Sequence, residues 1–162
     1  MSRRFCLALW CTALLLLAAI TEVPAQTDPK ALRQQQFEAI ARGDVAAALA
    51  LYTENAVIDG TGLCARTPCV GKPEIQKELE RRVAEKIAAT GLSYYVSGPV
   101  VTTRFEVSSD AIKKSGVERI IGWDIFETKG DKIAAARGPL WERTDPQTAQ
   151  YLEWQRAQQA SR

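Results

Sequence analysis

One stretch organises the rest of the chain: residues 117–127, which read VERIIGWDIFE. It is rich in β-branched and aromatic residues, and it leads into TKGD at 128–131. That turn is typical of a hairpin and returns the chain into a second strand, Lys132 to Arg143. Asp124 lies in the middle of the first strand between apolar neighbours. A carboxylate there must be paired, neutralised or used in a function, because an isolated buried charge is costly.

The composition restricts the class of protein. The 162 residues, 46% hydrophobic and 25% charged, suit one globular domain. The 21 basic and 19 acidic side chains are interspersed and give a net charge of +2, so we expect no nucleic-acid partner. The sequence contains no histidine, which removes the usual proton shuttle and the commonest metal ligand. Without a phosphate loop or dinucleotide fingerprint, neither a cofactor nor a metal is predicted.

Residues 1–25 have the pattern of a secretory signal peptide. Arg3 and Arg4 precede an apolar run from Phe5 to Ile20, and small residues follow up to a predicted cleavage after Ala25. The alternative is a retained anchor, but the run is shorter than the roughly 18 to 20 residues that span a bilayer. We therefore predict a secreted or periplasmic protein that does not contact the membrane after cleavage. The mature chain divides into a domain over 26–144 and a C-terminal helix and tail over 145–162.

After cleavage the chain keeps two cysteines, Cys64 and Cys69. In an oxidising compartment such a close pair most simply forms a disulfide, worth roughly 2 kcal/mol in the entropic loop model. A redox pair is the alternative. Redox motifs normally have two residues between the cysteines at a helix start, whereas four residues separate these two. A structural disulfide is the prediction.

Three helices are predicted in the first half of the domain. The first begins at Asp28-Pro29, and Gly43-Asp44 separates it from a second helix that runs to Tyr52. A short strand, 56–59, follows. The third helix opens at Gly71 and ends before residue 91. Its buried side is marked by a four-residue repeat, and the charged residues between 77 and 86, including Glu78, Arg81 and Arg82, are predicted to face solvent.

From residue 92 onward the pattern alternates with period two, which predicts strands over 92–97, 100–111, 117–127 and 132–143. Three helices followed by consecutive strands indicate an α+β domain with an antiparallel sheet. A last helix is predicted over 147–158 after Asp145-Pro146. We expect its aromatic residues to pack against the sheet rim or a second subunit.

This layout, with four short motifs, resembles the nuclear transport factor 2-like superfamily and, within it, the SnoaL-like proteins. The motifs are RGD at 42–44, ALYTENAV at 50–57, GKPEI at 71–75 and GDKI at 130–133. The resemblance covers residues 29–143 and implies a cone-shaped fold, in which a strongly curved antiparallel sheet wraps the helices around a deep apolar pocket. It also implies a small apolar ligand and a homodimer formed through the sheet. The superfamily holds both enzymes and non-catalytic binders, so the resemblance leaves the function open.

One enzyme of this superfamily, ketosteroid isomerase, offers a template. Its pattern needs a carboxylate base on the first strand, a protonated acid on a late strand and a tyrosine on the first helix. Asp124 matches the late acid, and Asp59 lies about one residue from the base. The tyrosine position falls on Gln36.

Limonene epoxide hydrolase offers a second template, an acid–arginine–acid array. Arg104 and Glu106 resemble its arginine and one acid, and their spacing of two places both on one face of a strand. The second acid falls near Gly138, so the proton donor is missing. A cross-strand salt bridge is the plainer interpretation of Arg104 and Glu106.

Strand alternation places Asp124 and Trp123 on opposite faces of the sheet. The resemblance implies that the Asp124 face is the pocket side and that Trp123 lies on the outer side. Asp124 and Asp59 are therefore the predicted catalytic residues, and the other predicted pocket residues are Gln36, Tyr52, Tyr94, Arg104, Glu106, Ile120, Phe126 and Leu140. The sequence leaves two main hypotheses: a ligand-binding domain with isomerase-type acid–base function, or a non-catalytic binding or dimerising module with structural acids. An open pocket of ~300 Å³ or more around Asp124 would favour the first.

Overall fold

The computed structural model of this chain describes residues 28–161, so the predicted signal peptide lies outside the described residues. Among residues 28–161, no helix has the length and apolar character needed to cross a membrane. The described helices are α1 (Pro29–Ala41), α2 (Val45–Ala50), α3 (Lys72–Ala84), α4 (Asp110–Lys113) and α5 (Pro146–Ala160).

The strands form one curved, unclosed sheet of six strands in the order β2-β1-β6-β5-β4-β3. They are β1 (Tyr52–Asp59), β2 (Cys69–Val70), β3 (Ala88–Ser97), β4 (Val100–Ser108), β5 (Ile120–Lys129) and β6 (Lys132–Trp141). The predicted α+β cone is confirmed. Neighbouring strands are antiparallel except β1 and β6, which run parallel, so the sheet is mixed.

Aspartate caps fix three helix starts, as the sequence predicts. The Asp44 side chain accepts a hydrogen bond from the Ala47 backbone N–H at 2.9 Å, and Asp145 does the same for Thr148 at 2.9 Å. Asp28 accepts from the Lys30 N–H at 3.0 Å, with Pro29 at the first helical position. These caps satisfy backbone donors that a helix start otherwise leaves free.

Several element boundaries differ from the prediction by a few residues, and two of the differences have a clear cause. β1 begins at Tyr52 instead of residue 56, since Tyr52 pairs with Ile133 of β6 and is drawn out of the second helix. β4 ends at Ser108 instead of 111. The next residue, Ser109, accepts a hydrogen bond from the Ile112 N–H at 3.2 Å and starts α4.

The core lies in two clusters on the concave side of the sheet. One cluster joins α1, α2 and α3 to β1 and β6 and includes Leu32, Ile75 and Ile133. The other surrounds Phe105 of β4, which lies 6.2 Å, centroid to centroid, from both Phe37 and Trp141. The clusters pack at the two sides of a space that the side chains leave open.

The predicted disulfide joins Cys64 and Cys69, whose Cα atoms are 5.1 Å apart. It closes the loop between β1 and β2, and a short 3-10 helix, Gly62–Cys64, lies inside that loop. Both cysteines are buried against the first core cluster. The loop is therefore anchored to the protein interior at both ends.

Candidate functional site

A cavity of about 410 Å³ opens between the helices and the concave face of the sheet. Its buried end is lined by Arg33, Tyr52, Asp124 and Phe126. Towards solvent its walls are formed by the loop after β1, the end of α3 and the end of β6, with residues such as Thr61, Arg81, Glu85 and Arg137. The volume lies within the range of small-molecule sites.

An arginine–aspartate ion pair occupies the buried end. Arg33 of α1 is 3% exposed and Asp124 of β5 is 9% exposed. The Arg33 Nη2 group donates to Asp124 Oδ2, and Nη1 donates to Gln36 Oε1. Gln36 Nε2 in turn donates to the Tyr52 hydroxyl. A continuous polar chain thus runs from β5 through α1 to β1 in an otherwise apolar interior.

The Arg33 guanidinium is held between aromatic rings. Its Cζ lies 3.5 Å from the centre of the Phe37 ring and 4.0 Å from that of Phe126. Both distances are within the range of cation–π attraction, which strengthens when the cation is shielded from water. The rings therefore fix the plane of the guanidinium and, through it, the orientation of Asp124.

Burial shifts the ionisation of this group of residues. Loss of hydration raises the pKa of Asp124, and the Arg33 charge opposes that rise. Burial also lowers the pKa of Arg33, although an arginine keeps its proton in proteins. The pKa of Tyr52 is raised by the same loss of hydration, so its hydroxyl stays protonated. The site therefore offers a tyrosine proton, a cation and a carboxyl whose pKa is raised.

Three buried polar atoms near the cavity have no hydrogen-bond partner among residues 28–161: Arg33 Nε, Thr103 Oγ1 and Asp124 Oδ1. Thr103 of β4 lies directly opposite Asp124 in the sheet register. Buried polar atoms in native proteins are nearly always satisfied. All three atoms are also inaccessible to solvent, so they indicate incomplete hydrogen bonding around the buried ion pair and are not contacts that the cavity offers to a ligand.

The predicted site residues divide between this cavity and other places. Tyr52, Asp59, Ile120, Phe126 and Asp124 line the cavity. Asp59 does so on the exposed side, at the end of β1. The other predicted residues lie elsewhere.

Gln36 and Tyr94 are not in the cavity wall. Gln36 is fully buried behind Arg33 and Tyr52, where it joins the two. Tyr94 of β3 packs beside the first core cluster, with the Lys30 ammonium 5.4 Å from its ring centre.

Arg104 and Glu106 share a face of β4, as predicted, but that face is the convex one, away from the cavity. Arg104 forms two hydrogen bonds with Glu142, from Nε at 2.8 Å and from Nη2 at 2.9 Å. Glu106 lies 3.8 Å from Arg119. The salt-bridge interpretation fits this geometry, although the partners are Glu142 and Arg119 instead of each other.

Leu140 lies outside the cavity and is 74% exposed, contrary to the expectation from alternation. The reason is an irregularity in β6: Arg137 pairs with Ile125, but Leu140 pairs with Trp123, so β6 contains one extra residue. Gly138 lies in this step with φ +117°, and a Cβ there would be 3.0 Å from the Trp123 carbonyl oxygen. The extra residue reverses the alternation, so Trp141 lines the cavity in place of Leu140.

The charged run of α3 also differs from the prediction of a solvated face. Glu78 is fully buried and accepts hydrogen bonds from the Leu63 N–H at 2.9 Å, from Arg81, and from Arg82 Nε at 2.8 Å. Burial alone would raise the pKa of Glu78, but these donors outweigh that effect and hold the pKa below its usual value. Glu78 thereby ties the disulfide loop to α3. The predicted four-residue pairs, Glu78–Arg82 and Arg81–Glu85, are both present.

Sequence reasoning missed two functional candidates, Arg33 and Arg82. Arg33 lies four residues before Phe37 and seven before Ile40, a spacing that places it on the buried face of α1. That signal was available in the sequence. The inward position of Arg82 depends on its bond to Glu78 and could not be read from spacing.

The fold is an α+β cone that encloses an open cavity. The sequence pattern of the SnoaL-like domain family matches residues 34–136, so the chain belongs to that family. A sequence search of curated proteins finds no match.

Solved structures with the same fold share little sequence with this chain. The epoxide hydrolase/cyclase-like enzyme SalBIII, which takes part in pyran ring formation in salinomycin, superposes with a TM-score of 0.61 at 21% identity, over 72% of this chain and 92% of that one. A protein of Kribbella flavida proposed to be a ketosteroid isomerase gives 0.56 at 14%, over 70% and 77%. A Cytophaga hutchinsonii protein of unknown function, of the nuclear transport factor 2-like group, gives 0.56 at 12%, over 72% and 92%. These likenesses establish the fold alone.

Proposed function

We propose that this domain binds a small, largely apolar molecule in its cone, with a polar group of that molecule at the buried end. The observation that carries the proposal is the open volume of about 410 Å³, whose buried end is lined by the Arg33–Asp124 ion pair. An ion pair that served only to stabilise the core would be expected in a filled interior. Here Phe105, Phe126 and Ile120 supply apolar walls, and Asp124 and Tyr52 supply hydrogen-bonding groups.

The first test is native mass spectrometry of the protein purified from its own host, where a retained small molecule is expected. Binding of a neutral apolar probe, 1-octanol, is then measured by calorimetry. Ala89→Trp should abolish binding by filling the cavity, because Ala89 lines it. Leu140→Trp on the convex face is the matched control and should bind normally. The proposal would be contradicted if both variants gave the same heat of 1-octanol binding and no molecule were retained by the purified protein.

A second candidate function is proton transfer at Asp124. Burial raises the pKa of this carboxyl, Asp124 lines the cavity, and the Tyr52 hydroxyl accepts from Gln36 and so keeps its own proton for a ligand. This combination suits proton abstraction next to a carbonyl or opening of an epoxide. Asp59, at the exposed side of the cavity, is the proposed second acid.

Turnover of carbonyl and epoxide substrates tests this candidate. Asp124→Asn should remove any activity found and leave 1-octanol binding in place, whereas Glu142→Gln on the convex face should change neither. Activity that survives Asp124→Asn would assign the acid a structural role and leave the binding proposal intact.

We also propose that the protein acts outside the cytoplasm, which the Cys64–Cys69 disulfide supports. N-terminal sequencing of protein recovered from the host's periplasm or medium should begin at Gln26. Recovery of an uncleaved chain in membranes would favour a retained anchor.

A homodimer formed through the convex sheet face is proposed as well. Exposed apolar side chains on the sheet, among them Tyr95, Ile125 and Leu140, support it, since monomers rarely expose large apolar patches. Light scattering should give twice the monomer mass, and Ile125→Lys should halve it. A monomeric wild type would exclude this dimer.

A further inference from the structure

The end of α3 brings to the cavity wall an arginine, Arg82, that is ion-paired through one edge of its guanidinium only. Arg82 lines the cavity, and its side chain is 16% exposed. Its Nε donates to Glu78 Oε1 at 2.8 Å. In the part of the chain that the structure describes, neither terminal nitrogen of Arg82 has a hydrogen-bond partner. One edge of the guanidinium is therefore fixed, and the terminal edge is free.

The charge of Arg82 acts on the same space as the buried ion pair. Burial raises the pKa of Tyr52, and Arg82 opposes that rise more than any other neighbour does. Arg82 also lowers the pKa of Asp124, after Arg33, against the effect of burial. Its guanidinium thus lies near the polar groups at the buried end, and not out in solvent.

The other arginines of the cavity are already engaged or open to water. Arg33 is paired with Asp124. Arg81 is bound by both Glu78 and Glu85. Arg137 is exposed at the rim and lies opposite Asp59 in the β1–β6 register, so water and a carboxylate screen its charge. Arg82 remains as the guanidinium with free donors beside apolar walls.

We propose that Arg82 binds the carboxylate of an amphipathic organic acid whose apolar part fills the cone. This inference rests on the proposed binding function and adds the class of ligand. A guanidinium presents parallel N–H groups that match the two oxygens of a carboxylate. Glu78 is the positioning residue, because its bond to Nε sets the direction of the free edge. The apolar walls of Phe105, Val107 and Ile120 favour a carboxylic acid over a more strongly hydrated phosphate ester.

The test compares two probes of equal chain length, octanoate and 1-octanol, by calorimetry at neutral pH. The wild-type protein should bind octanoate about tenfold or more tightly than 1-octanol, the size expected for one charge-assisted hydrogen-bonded contact. Arg82→Gln should remove this preference and keep the affinity for 1-octanol. Arg104→Gln, which removes an arginine of the convex face, should keep the preference.

The dependence of affinity on salt concentration tests the proposal without a variant. Octanoate affinity of the wild type should fall as sodium chloride is raised, while 1-octanol affinity should not. Equal affinity for both probes, or a preference that Arg82→Gln retains, would overturn the carboxylate site and leave the binding function standing. Failure of both probes to bind would remove both proposals.

Discussion

The two faces of the sheet each carry an arginine–carboxylate pair, and the two pairs differ in their burial and in their neighbours. On the concave face Arg33 and Asp124 are buried among phenylalanine rings. On the convex face Arg104 and Glu142 form a two-bond pair that is partly open to water. Trp123, the neighbour of Asp124 in sequence, lies on the convex side and donates to Glu142 at 3.2 Å.

The two pairs differ in the desolvation free energy that their formation requires, which is larger for the buried pair. Removing two charges from water costs several kcal/mol per ion unless geometry and further hydrogen bonds compensate. The concave pair leaves Arg33 Nε and Asp124 Oδ1 unsatisfied within residues 28–161, so its compensation is incomplete. The convex pair has water as a further partner. The proposed ligand-binding role would account for a buried pair of this kind beside an open cavity.

Arg33→Met is expected to have the largest effect. It leaves the Asp124 carboxylate buried without a cation, which typically destabilises a protein by about 3 to 5 kcal/mol. Urea denaturation followed by circular dichroism measures the change.

The matched control for Arg33→Met replaces both partners. Arg33→Met combined with Asp124→Leu removes both buried charges, so its stability should return to within about 1 kcal/mol of the wild type or exceed it. A double variant as unstable as the single one would show that packing of Arg33, and not charge, is responsible.

The two carboxylates should impose opposite pH dependence on stability. Because burial raises the pKa of Asp124, its stabilising contribution is complete below the ordinary aspartate value and is lost as pH rises through the raised value. Because the Arg104 hydrogen bond lowers the pKa of Glu142, its contribution is present above the ordinary glutamate value and is lost as pH falls through the lowered one. The free energy of unfolding of the wild type, minus that of Asp124→Asn, should therefore decrease as pH rises. The same difference taken with Glu142→Gln should increase as pH rises.

Carboxyl-carbon chemical shifts followed during a pH titration check these directions residue by residue. If Asp124 titrates below the ordinary aspartate range, attraction to Arg33 outweighs burial. Asp124 would then be a permanent anion, and the proton-transfer candidate would lose its support.

Arg104→Gln should have a small effect, because exposed ion pairs contribute little and are screened by salt. The melting temperature should stay close to that of the wild type and should not depend on ionic strength more than the wild type does. A loss comparable to that of Arg33→Met would remove the distinction between the faces.

Leu140→Ala should have the smallest effect on the unfolding free energy of the monomer. The side chain is 74% exposed, so truncation should change this free energy by less than about 0.5 kcal/mol. Measuring at several protein concentrations adds information, since a loss that grows with concentration would place Leu140 in a dimer interface.

The sequence predicts the local features of this fold well. Aspartate caps at 28, 44 and 145 and the alternation of β5 from Trp123 to Lys129 depend on residues close in sequence, and the structure confirms them. Alternation separates Asp124 from Trp123, and the family resemblance indicates which of the two faces is inward. The disulfide is predicted from the spacing of the two cysteines and the predicted compartment.

The features that sequence reasoning misses are set by distant partners. Leu140 faces outward because one extra residue in β6 shifts the register against β5. Glu78 is buried because a backbone N–H of the disulfide loop and two arginines meet it. The spacing of Arg33 indicates that it is buried, but its pairing with Asp124 spans 91 residues and cannot be read from a local pattern.

The parallel contact between β1 and β6 determines when the domain can fold. β1 and β2 lie at one end of the sheet and β3 at the other, and β6 joins β1 to the rest. Until residues 132–141 have been synthesised, the early strands have no partner that connects them. Contacts so distant in sequence make folding slow, because the entropy of closing the long loop is lost before the contacts form.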